Sequence, residues 1–367
     1  MKPKLCYILP SISNDTHFSY NVKLIWYLKY QFDLFFIVEK GSAPAMPQVR
    51  TYAQRYRSFP ARYLENIIIL MRARFAGYKD FYVHYSFLSA LNASMITTLF
   101  GGRVYYWNAG LPWNYPQNFL RRWFERAVYY AVDYVVTGTN SLAQQYAEHY
   151  HMPREKIKVM PNWIDVFHFA SAVDQFRSQR DSIKKQLHVA PDEKIALFVH
   201  RLSHRKGAQY LPEMVRTLSN EKIIFIVVGD GPDRKQIESE FSAKNLKDRV
   251  RMLGWTPSED IPKYFALADV FIMPSDEEGF PHVLLESMAA SVPFVAYNVG
   301  GVGELLSKDL QKYATTPGDS AAFIDMMRAL VHMPASDLQQ LARMEQECVQ
   351  QYDIARVLNI AFPNLFL

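Results

Sequence analysis

The stretch that decides the fold is residues 269–298, DVFIMPSDEEGFPHVLLESMAASVPFVAYN. It begins with the apolar run 269–274 and ends with a second apolar run, 293–298, and a segment of helical period, 281–290, lies between them. Both runs are apolar at nearly every position, which is typical of parallel strands covered by helices on both faces. The stretch therefore predicts a strand, a helix and a parallel strand, the repeating unit of α/β sheets.

The same alternation extends along the whole chain. In the first half the strand candidates are 5–10, 32–38, 81–85, 103–107, 133–138 and a last run ending at Pro161, with helical segments at 18–31, about 59–76, 87–99, 116–130 and 140–150. In the second half they are 194–200, 222–229, 250–254, 269–274 and 293–298, with helical segments at 206–218, 232–244, 261–267, 281–290 and 318–331. This pattern predicts two Rossmann-like, doubly wound parallel sheets that bind ligands at the carboxyl ends of their strands.

Two domains are also expected from the length of 367 residues, which exceeds that of an ordinary single core. Residues 161–190 contain no strand candidate and are mostly polar, so we predict an N-terminal domain at 1–165 and a C-terminal domain at 166–350, facing each other across a cleft. The pattern after residue 333 is helical to the end. Residues 351–367, with their apolar ending, are expected to form a helix that packs back on the first domain.

Composition indicates a globular protein of a reducing compartment, with 49% apolar and 21% charged residues. Cys6 and Cys348 lie at opposite ends of the chain, which predicts neither a disulfide framework nor a metal-ligand spacing. The apolar stretch near the N-terminus spans only about six residues, too short for a signal-peptide core. No apolar run approaches the ~18 residues of a membrane span. We therefore expect a cytoplasmic protein.

The charge is unevenly divided along the chain. Residues 1–170 hold 19 Lys and Arg against 10 Asp and Glu, whereas the remaining residues hold 22 against 26. A basic first half predicts contact with an anionic membrane surface or a phosphate-bearing acceptor, and a merely solvated basic surface is the alternative. The basic residues form no dense stripe and accompany no nucleic-acid motif, so nucleic acid is not an expected partner.

One segment of the basic half combines arginines with a strongly apolar run. Residues 55–75 carry five arginines around NIIILM, a combination found in helices that lie on membrane surfaces. The same run also suits the buried side of a crossover helix. We expect peripheral association with the inner face of the membrane, with the buried helix as the alternative.

Three acids surround a Gly-Phe-Pro turn in residues 277–286, directly after the strand 269–274. Gly279 permits a tight turn, and Pro281 suits the first position of a helix, because its φ is already helical and its missing N–H would have no partner there. With the helix dipole, the amides of the helix start form an anion site, and they belong to His282, Val283 and Leu284. An ordinary solvated turn is the alternative.

Two of these acids are expected to act separately. Glu278 lies on the loop and Glu286 about 7 Å further along the helix, at ~1.5 Å per residue. This placement does not suit the paired carboxylates of a glycosidase, which flank one bond. Each carboxylate is more suited to accept hydrogen bonds from its own set of hydroxyls, with a phosphate between them.

Two other segments also follow strands directly. HRLSHRKG, 200–207, places Arg201 at a strand end and Lys206 at a helix start, where two cations suit a diphosphate. Exposed basic residues in a loop are the alternative. VVGDGPDRKQIE, 227–238, contains a Gly-x-Gly, but the third glycine of a dinucleotide fingerprint is absent, so NAD is not indicated. A tight turn that shapes the floor of the cleft is the better interpretation.

Together these segments resemble the donor domain of the retaining glycosyltransferases of family 4, which have the GT-B fold. The matching segments follow in the family's order: HRLSHRKG (200–207), VVGDGP (227–232), LGW (253–255), ALADVFIMPS (266–275), EEGFPHVLLESMAASVPFVA (277–296) and GGVGEL (300–305). In the first half, VVTGTNSLAQQY (135–146) and VMPNWIDVFHF (159–169) resemble the stretch before the family's linker.

The resemblance implies a role for each segment. Glu278 would face the transferred sugar, and Glu286 would face the ribose of the nucleotide. The donor diphosphate would be held by Arg201 and Lys206. The loop and helix start that close over the donor would be Gly279, Phe280, Pro281, His282, Val283 and Leu284, and the base would lie near Gly254 and Trp255.

The resemblance also implies a mechanism without a metal or other cofactor. The chain contains no Asp-x-Asp, so the two cations and the helix dipole would neutralise the leaving diphosphate. Such enzymes are thought to retain anomeric configuration by front-face attack, in which a leaving phosphate oxygen accepts the acceptor's proton. No dedicated base is then required.

The first half departs from the family at two places. The loop after the first strand, 10–21, lacks the glycines that many members have, and Asn14 or His17 would have to substitute with side chains. A histidine near the reacting centre is replaced by Asn108, which can hydrogen-bond a sugar hydroxyl but cannot take up a proton at neutral pH. His84, at the end of a strand, is a further candidate on the acceptor side, with a core histidine as the alternative.

The sequence thus predicts an enzyme, a GT-B glycosyltransferase that moves a sugar from a nucleotide diphosphate donor, with UDP favoured, to a glycan or lipid-linked acceptor. Three alternatives stay open: a sugar-nucleotide epimerase on the same scaffold, a non-catalytic nucleotide-sugar-binding protein, and an NAD-dependent oxidoreductase. The sugar, the acceptor, the linkage and the oligomeric state are not encoded in any recognisable pattern.

Overall fold

The chain forms two compact units. The computed structural model describes residues 2–12, 16–56, 58–116 and 118–366, and of residues 16–19 it describes the backbone alone. The first unit comprises the chain up to residue 160 and from residue 360 onward, and the second unit comprises residues 161–359. The division lies at residue 160, where residue 165 was expected. The N–H of Met160 still donates to Thr137 at the end of the first sheet (2.8 Å), whereas that of Ile164 donates to Tyr352 in the second unit (3.0 Å).

The first unit is built on a parallel sheet of seven strands in the order β3-β2-β1-β4-β5-β6-β7. The strands are β1 Lys4–Leu9, β2 Asp33–Val38, β3 Val49–Ala53, β4 Asp80–His84, β5 Arg103–Trp107, β6 Tyr134–Thr137 and β7 Ile157–Val159. The helices are α1 Thr16–Gln31, α2 Phe59–Phe75, α3 Phe87–Phe100, α4 Phe119–Ala131 and α5 Asn140–Tyr150. β3 was not predicted, because it is a half-exposed edge strand without a continuous apolar run.

The second unit is built on a parallel sheet of six strands in the order β10-β9-β8-β11-β12-β13. The strands are β8 Lys194–Val199, β9 Ile223–Val228, β10 Val250–Gly254, β11 Val270–Met273, β12 Phe294–Tyr297 and β13 Ala314–Thr315. The helices are α6 Val166–Arg177, α7 Arg180–Gln186, α8 Leu211–Thr217, α9 Arg234–Ala243, α10 Ile261–Phe265, α11 His282–Ala289, α12 Val302–Leu305, α13 Ser320–Val331, α14 Ala335–Val349 and α15 Ile354–Arg356. Residues 269–298 contain β11, α11 and β12, as their apolar runs and helical period predict.

Local capping and burial explain these elements. Several helices begin at a polar side chain that accepts a backbone N–H of the first turn, as Ser86 does for α3, Asn118 for α4 and Asp319 for α13. The central strands are buried along most of their length, as β9 illustrates with six consecutive buried residues. Among the described residues, no helix combines the length and the apolar character needed to cross a membrane.

Two helices differ from the prediction. Residues 206–218 were expected to form one helix, but Gly207 adopts a left-handed φ of +73°, and α8 begins only at Leu211. In the C-terminal segment, which was expected to form a single helix, residues 354–364 are continuously helical, with a π-helical turn at Val357–Ala361 between α15 and the last turn. The last turn is α16, Phe362–Asn364, and its Phe362 ring packs on Phe32 of the first unit, with ring centroids 5.7 Å apart.

Candidate active site

The order of the second sheet reverses between β8 and β11. β8 has β9 on one side and β11 on the other, so the connections after these two central strands lead away in opposite directions. In open α/β sheets, such a switch point leaves a crevice at the carboxyl ends of the strands, where ligands bind. The two loops that meet there are residues 200–207 after β8 and residues 274–281 after β11.

Glu278 occupies the centre of this switch point. Its side chain is 5% exposed, and its Oε1 lies 2.8 Å from Lys206 Nζ and 2.9 Å from His200 Nε2. Burial alone would raise the pKa of the carboxyl, but the charge of Lys206 and the hydrogen bonds from both neighbours outweigh it and lower the pKa to about 2. The carboxylate is therefore ionised at neutral pH.

His200 reaches this carboxylate as an uncharged donor. Burial, and secondarily Lys206, lower the pKa of His200 below its usual range. The backbone N–H of Arg201 donates to His200 Nδ1 at 3.0 Å, so that nitrogen carries no proton. The proton of the neutral ring must then be on Nε2, which donates to Glu278.

The two loops are tied together by hydrogen bonds. The backbone N–H groups of Asp276 and Glu277 donate to the carbonyl of Arg205, at 2.9 and 3.2 Å. In return, Lys206 Nζ donates to the carbonyl of Glu277 at 3.1 Å. The cation after β8 and the carboxylate after β11 are thus fixed relative to each other, although 72 positions separate Lys206 and Glu278 in sequence.

Gly300, the first residue of the segment GGVGEL, packs closely against the backbone of Glu278. Gly300 has a left-handed φ of +52°, and a Cβ at this position would lie only 1.7 Å from the carbonyl oxygen of Glu278. No other residue type allows this approach. Gly300 therefore sets how closely the turn after β12 packs on the backbone of Glu278.

The start of α11 differs in detail from the prediction. Pro281 is the N-cap residue and not the first helical residue, and the N–H of Leu284 donates to its carbonyl at 3.3 Å. The amide of Leu284 is therefore engaged within the start of the helix, and its side chain is buried. The preceding residue, Phe280, is buried, and its carbonyl accepts a hydrogen bond from Asn162 Nδ2 at 2.7 Å.

The remaining residues predicted for the donor side lie in the second unit as well. Glu286 is buried in α11, five positions along the helix, and so is Val283, while His282 is half-buried. Arg201 is exposed directly after His200. Gly254 ends β10, where its carbonyl accepts the N–H of Gly229 at 2.7 Å, and the exposed Trp255 follows it. Gly279 lies in the loop between Glu278 and Phe280.

In the first unit, the side-chain amide of Asn108 is hydrogen-bonded at both ends. Its Nδ2 donates to the Tyr129 hydroxyl at 2.9 Å, and its Oδ1 accepts the backbone N–H of Gly110 at 3.0 Å. The side chain, at the end of β5, thereby shapes the following loop. Asn14 and the side chain of His17 lie outside the part of the chain that the structure describes.

His84 belongs to an aromatic cluster in the core of the first unit. It is buried, its Nε2 lies 2.7 Å from the Tyr7 hydroxyl, and its ring packs on those of Tyr82 and Trp107. This environment agrees with the alternative of a core histidine.

Sequence reasoning did not single out His200. The residue stood in the quoted segment HRLSHRKG, immediately after a predicted strand and before Arg201. Its place at the carboxyl end of a strand was the available signal. Its contact with Glu278 could not be foreseen, because it depends on β8 and β11 being neighbours.

Comparison with known proteins identifies the class of the chain. The profile of a family described as Glycosyl transferases group 1 matches residues 179–347, and one described as Glycosyltransferase Family 4 matches residues 81–167. Between them they cover most of the chain from residue 81 to residue 347. The two matched segments therefore belong to glycosyltransferase families, and the two parallel α/β sheets of the chain form the GT-B architecture that the resemblance predicted.

Particular relatives and solved structures agree with this class. The chain is 28% identical over 169 residues to 2-deoxystreptamine glucosyltransferase of Streptomyces kanamyceticus. The aligned residues make up 46% of this chain and 44% of the relative. It is 29% identical over 177 residues to UDP-Gal:alpha-D-GlcNAc-diphosphoundecaprenol alpha-1,3-galactosyltransferase of Escherichia coli, covering 47% and 44%. The chain thus spans less than half the length of these curated relatives.

The fold extends over the whole chain in the structural comparison. The crystal structure of Anabaena HepE in complex with UDP superposes with a TM-score of 0.79 at 17% identity, covering 99% of this chain and 100% of that one. Sucrose-phosphate synthase from Thermosynechococcus elongatus superposes with a TM-score of 0.78 at 20% identity, covering 100% and 99%. At these identities the likeness concerns the fold alone.

Proposed function

We propose that the chain transfers a sugar from a nucleotide diphosphate sugar, with a UDP-sugar favoured, to a glycan or lipid-linked acceptor, with retention of configuration and without a metal ion. The observation that carries this proposal is the ionised carboxylate of Glu278, 2.8 Å from Lys206 Nζ, at the switch point of the second sheet. A ligand that bears phosphates beside hydroxyls suits this pair, because the ammonium group attracts phosphate and the carboxylate accepts from hydroxyls.

Each residue then has one task. Lys206 and Arg201 hold the diphosphate, together with the amides at the start of α11. Glu278 accepts hydrogen bonds from hydroxyls of the transferred sugar, and Glu286 accepts those of the ribose. The base lies near Gly254 and Trp255, at the end of β10.

The names of related proteins support the choice of donor. HepE was solved with UDP and with UDP-glucose, and the Escherichia coli relative is named as using UDP-Gal. That relative is also named for a diphosphoundecaprenol acceptor, which supports a lipid-linked acceptor here. Membership of the glycosyltransferases favours transfer over the epimerase and the binding protein as alternatives.

In the proposed reaction the acceptor hydroxyl oxygen bonds to the anomeric carbon on the face from which the diphosphate leaves. The bond from that carbon to the phosphate oxygen breaks, and the hydroxyl proton passes to the departing phosphate oxygen. Negative charge develops on the diphosphate, where Lys206 and Arg201 stabilise it. The step needs no further base, metal or cofactor to balance.

Ligand-induced stabilisation of matched variants tests this proposal. We expect one sugar nucleotide among UDP-, GDP-, ADP- and dTDP-sugars to raise the unfolding free energy by about 2.7 kcal/mol when present at 100 times its dissociation constant. Lys206→Met should weaken this effect strongly, because it removes the cation beside the diphosphate. Lys222→Met is the control, since Lys222 is an exposed, ion-paired lysine of the same unit, just before β9. If none of the four classes stabilises the protein, the proposal is wrong.

The proposal places the protein in the cytoplasm, in peripheral contact with an anionic membrane surface. Support comes from α4, whose first residues expose three large apolar side chains, Phe119 at 78%, Leu120 at 73% and Trp123 at 62%. Exposed apolar groups in one turn are costly in water and mark a surface that meets a partner. Arg121 and Arg122 lie between them, which favours an anionic partner.

The neighbouring helices continue this surface. α3 packs between α2 and α4, contains no charged residue, and exposes Met95, Leu99 and Phe100. Of the two acids on these helices, Glu65 accepts the backbone N–H groups of residues 55 and 56, and Glu125 is buried. The outer face of α2, α3 and α4 is therefore apolar and basic, as a surface for anionic lipid should be.

Vesicle sedimentation tests the membrane contact. The double variant Phe119→Ser/Trp123→Ser should bind phosphatidylglycerol-containing vesicles at least about tenfold more weakly, because burial of each aromatic side chain contributes about 1.5–3 kcal/mol. Phe167→Ser is the matched control, an exposed phenylalanine (82%) of the second unit. Equal binding by all variants would contradict the proposed surface.

A further inference from the structure

We propose that His200 is a positioning residue that holds Oε1 of Glu278 as a neutral donor and so presents Oε2 to the transferred sugar. This inference rests on the proposed role of Glu278 in sugar binding. It assigns a task to a residue to which the family resemblance gave none.

The hydrogen bonds of the carboxylate carry the first step. Both side-chain donors, His200 Nε2 at 2.9 Å and Lys206 Nζ at 2.8 Å, converge on Oε1 of Glu278. Within the described residues, no hydrogen bond reaches Oε2. One oxygen is thus held by the protein, and the other keeps its capacity to accept from a ligand hydroxyl.

The imidazole itself is fixed on two sides. Its Nδ1 accepts the N–H of Arg201 at 3.0 Å, and the N–H of residue 200 continues the sheet by donating to Val228 at 3.1 Å. The ring therefore has one tautomer, and the backbone that carries it is held by the sheet. Through the ring, the backbone of Arg201 is linked to the carboxylate of Glu278.

The neutral ring complements the charge of Lys206. One cation already neutralises the carboxylate, and a second cation beside it would leave the three groups with a net positive charge. A neutral N–H adds direction without charge, because a ring nitrogen donates along a single line. This distinguishes His200 from a residue that merely stabilises the ion pair.

The first test needs no substrate. Nitrogen-15 NMR of histidine-labelled protein, with His200 assigned by its loss in His200→Gln, should show at neutral pH a neutral ring with the proton on Nε2 and an unprotonated Nδ1. A charged ring, or a proton on Nδ1, would overturn the inference.

The second test measures UDP release from UDP-glucose, used as the probe, together with calorimetric binding of UDP. His200→Phe keeps the ring shape but removes the donor, so we expect kcat to fall about tenfold or more while the dissociation constant of UDP changes less than about twofold. His200→Gln restores a donor at the position of Nε2 and should recover most of the rate. His332→Phe is the control, because His332 is an exposed histidine beside Glu221 elsewhere in the same unit.

The outcomes separate this inference from the proposed function. An unchanged kcat in His200→Phe, while Glu278→Gln abolishes UDP release, would refute the positioning role and leave the function intact. Parallel losses of kcat, UDP affinity and melting temperature without recovery in His200→Gln would show a merely structural role. If the unmodified protein released no UDP from any UDP-sugar, the proposed function would fail, and the NMR result would still decide the hydrogen bond.

Discussion

Glu345 is another buried acid, and its environment is the opposite of that of Glu278. It lies in α14 with 0% exposure, and neither carboxyl oxygen has a hydrogen-bond partner among the described residues. Burial raises the pKa of the Glu345 carboxyl well above its usual range. With no cation to stabilise the charge, this acid stays protonated in the folded protein, whereas the cation beside Glu278 keeps that carboxyl ionised.

This difference predicts how stability depends on pH. In the unfolded chain Glu345 loses its proton at an ordinary pKa, so above that pH the unfolded state binds fewer protons than the folded state. The unfolding free energy must therefore fall as the pH rises from the ordinary glutamate range towards the raised folded pKa. Glu345→Met should remove this contribution and raise the unfolding free energy at neutral pH by about 1–3 kcal/mol, measured by urea unfolding across pH.

The control for this variant is Glu347→Met, which changes an exposed glutamate of the same helix. It should leave the pH dependence nearly unchanged. If both variants gave the same pH profile as the unmodified protein, Glu345 would not be the buried, protonated acid described.

Individual residues also show where sequence reasoning succeeds and fails. Glu278 and Lys206 were named from the sequence because each follows an apolar run, and the ends of parallel strands share one edge of a sheet. Asn108, which follows β5, was named because it takes the place of a histidine that the family has near the reacting centre, yet its amide is engaged by Tyr129 and Gly110. Position after a strand predicts the edge on which a side chain lies, but not what the side chain touches.

Among the elements, the turns between strands and helices determine the geometry of the site. The turn after β12 approaches the backbone of Glu278 so closely that a Cβ on Gly300 would meet its carbonyl oxygen at 1.7 Å. Gly318, before α13, also has a left-handed φ, +80°, but nothing lies within 4 Å of its missing Cβ. A side chain at Gly318 would therefore cause backbone strain alone, whereas a side chain at Gly300 would cause backbone strain and a clash with Glu278.

Alanine at these two positions should have different effects. Gly318→Ala should cost about 1–2 kcal/mol of unfolding free energy through its left-handed φ and leave UDP binding and sugar transfer unchanged. Gly300→Ala carries the same strain and must also displace Glu278, so we expect a larger loss of stability and a clear loss of turnover. The measurements are urea unfolding and UDP release from a UDP-sugar. Equal behaviour of the two variants would mean that this turn does not position the carboxylate.

Element boundaries were predicted well where burial is continuous and poorly where a backbone exception intervenes. The runs that became β8, β9 and β11 are apolar at nearly every position, as expected of strands buried in a sheet. The expected helix 206–218 begins late because Gly207 is left-handed. A helical period in the sequence does not reveal such a local conformation.

Across the whole molecule, charge is divided between the two halves of the chain. The basic excess lies in residues 1–170, which include α2, α3 and α4 with their exposed apolar side chains. The helices α2 and α4 carry arginines, and α3 between them is uncharged. Attraction to anionic lipid and burial of apolar groups would therefore act on the same surface.

This arrangement predicts a salt-sensitive membrane interaction. Between 0.1 M and 1 M salt the Debye length falls from about 10 Å to about 3 Å, so binding to phosphatidylglycerol-containing vesicles should weaken several-fold. Binding to phosphatidylcholine vesicles serves as the control and should be weak and nearly independent of salt. An affinity for the anionic vesicles that does not change with salt would argue against an electrostatic contribution.

The amino-acid sequence alone determined the class of fold, because continuous apolar runs alternating with helical periods can be buried only as parallel strands between helices. It also determined which residue types stand in the loops after the strands, among them Lys206 and Glu278. Only the tertiary structure decided that β8 and β11 are neighbours, and hence that His200 donates to a carboxylate 78 positions away. The physical reason is that strand formation follows from local burial, whereas the order of strands follows from how the whole sheet packs.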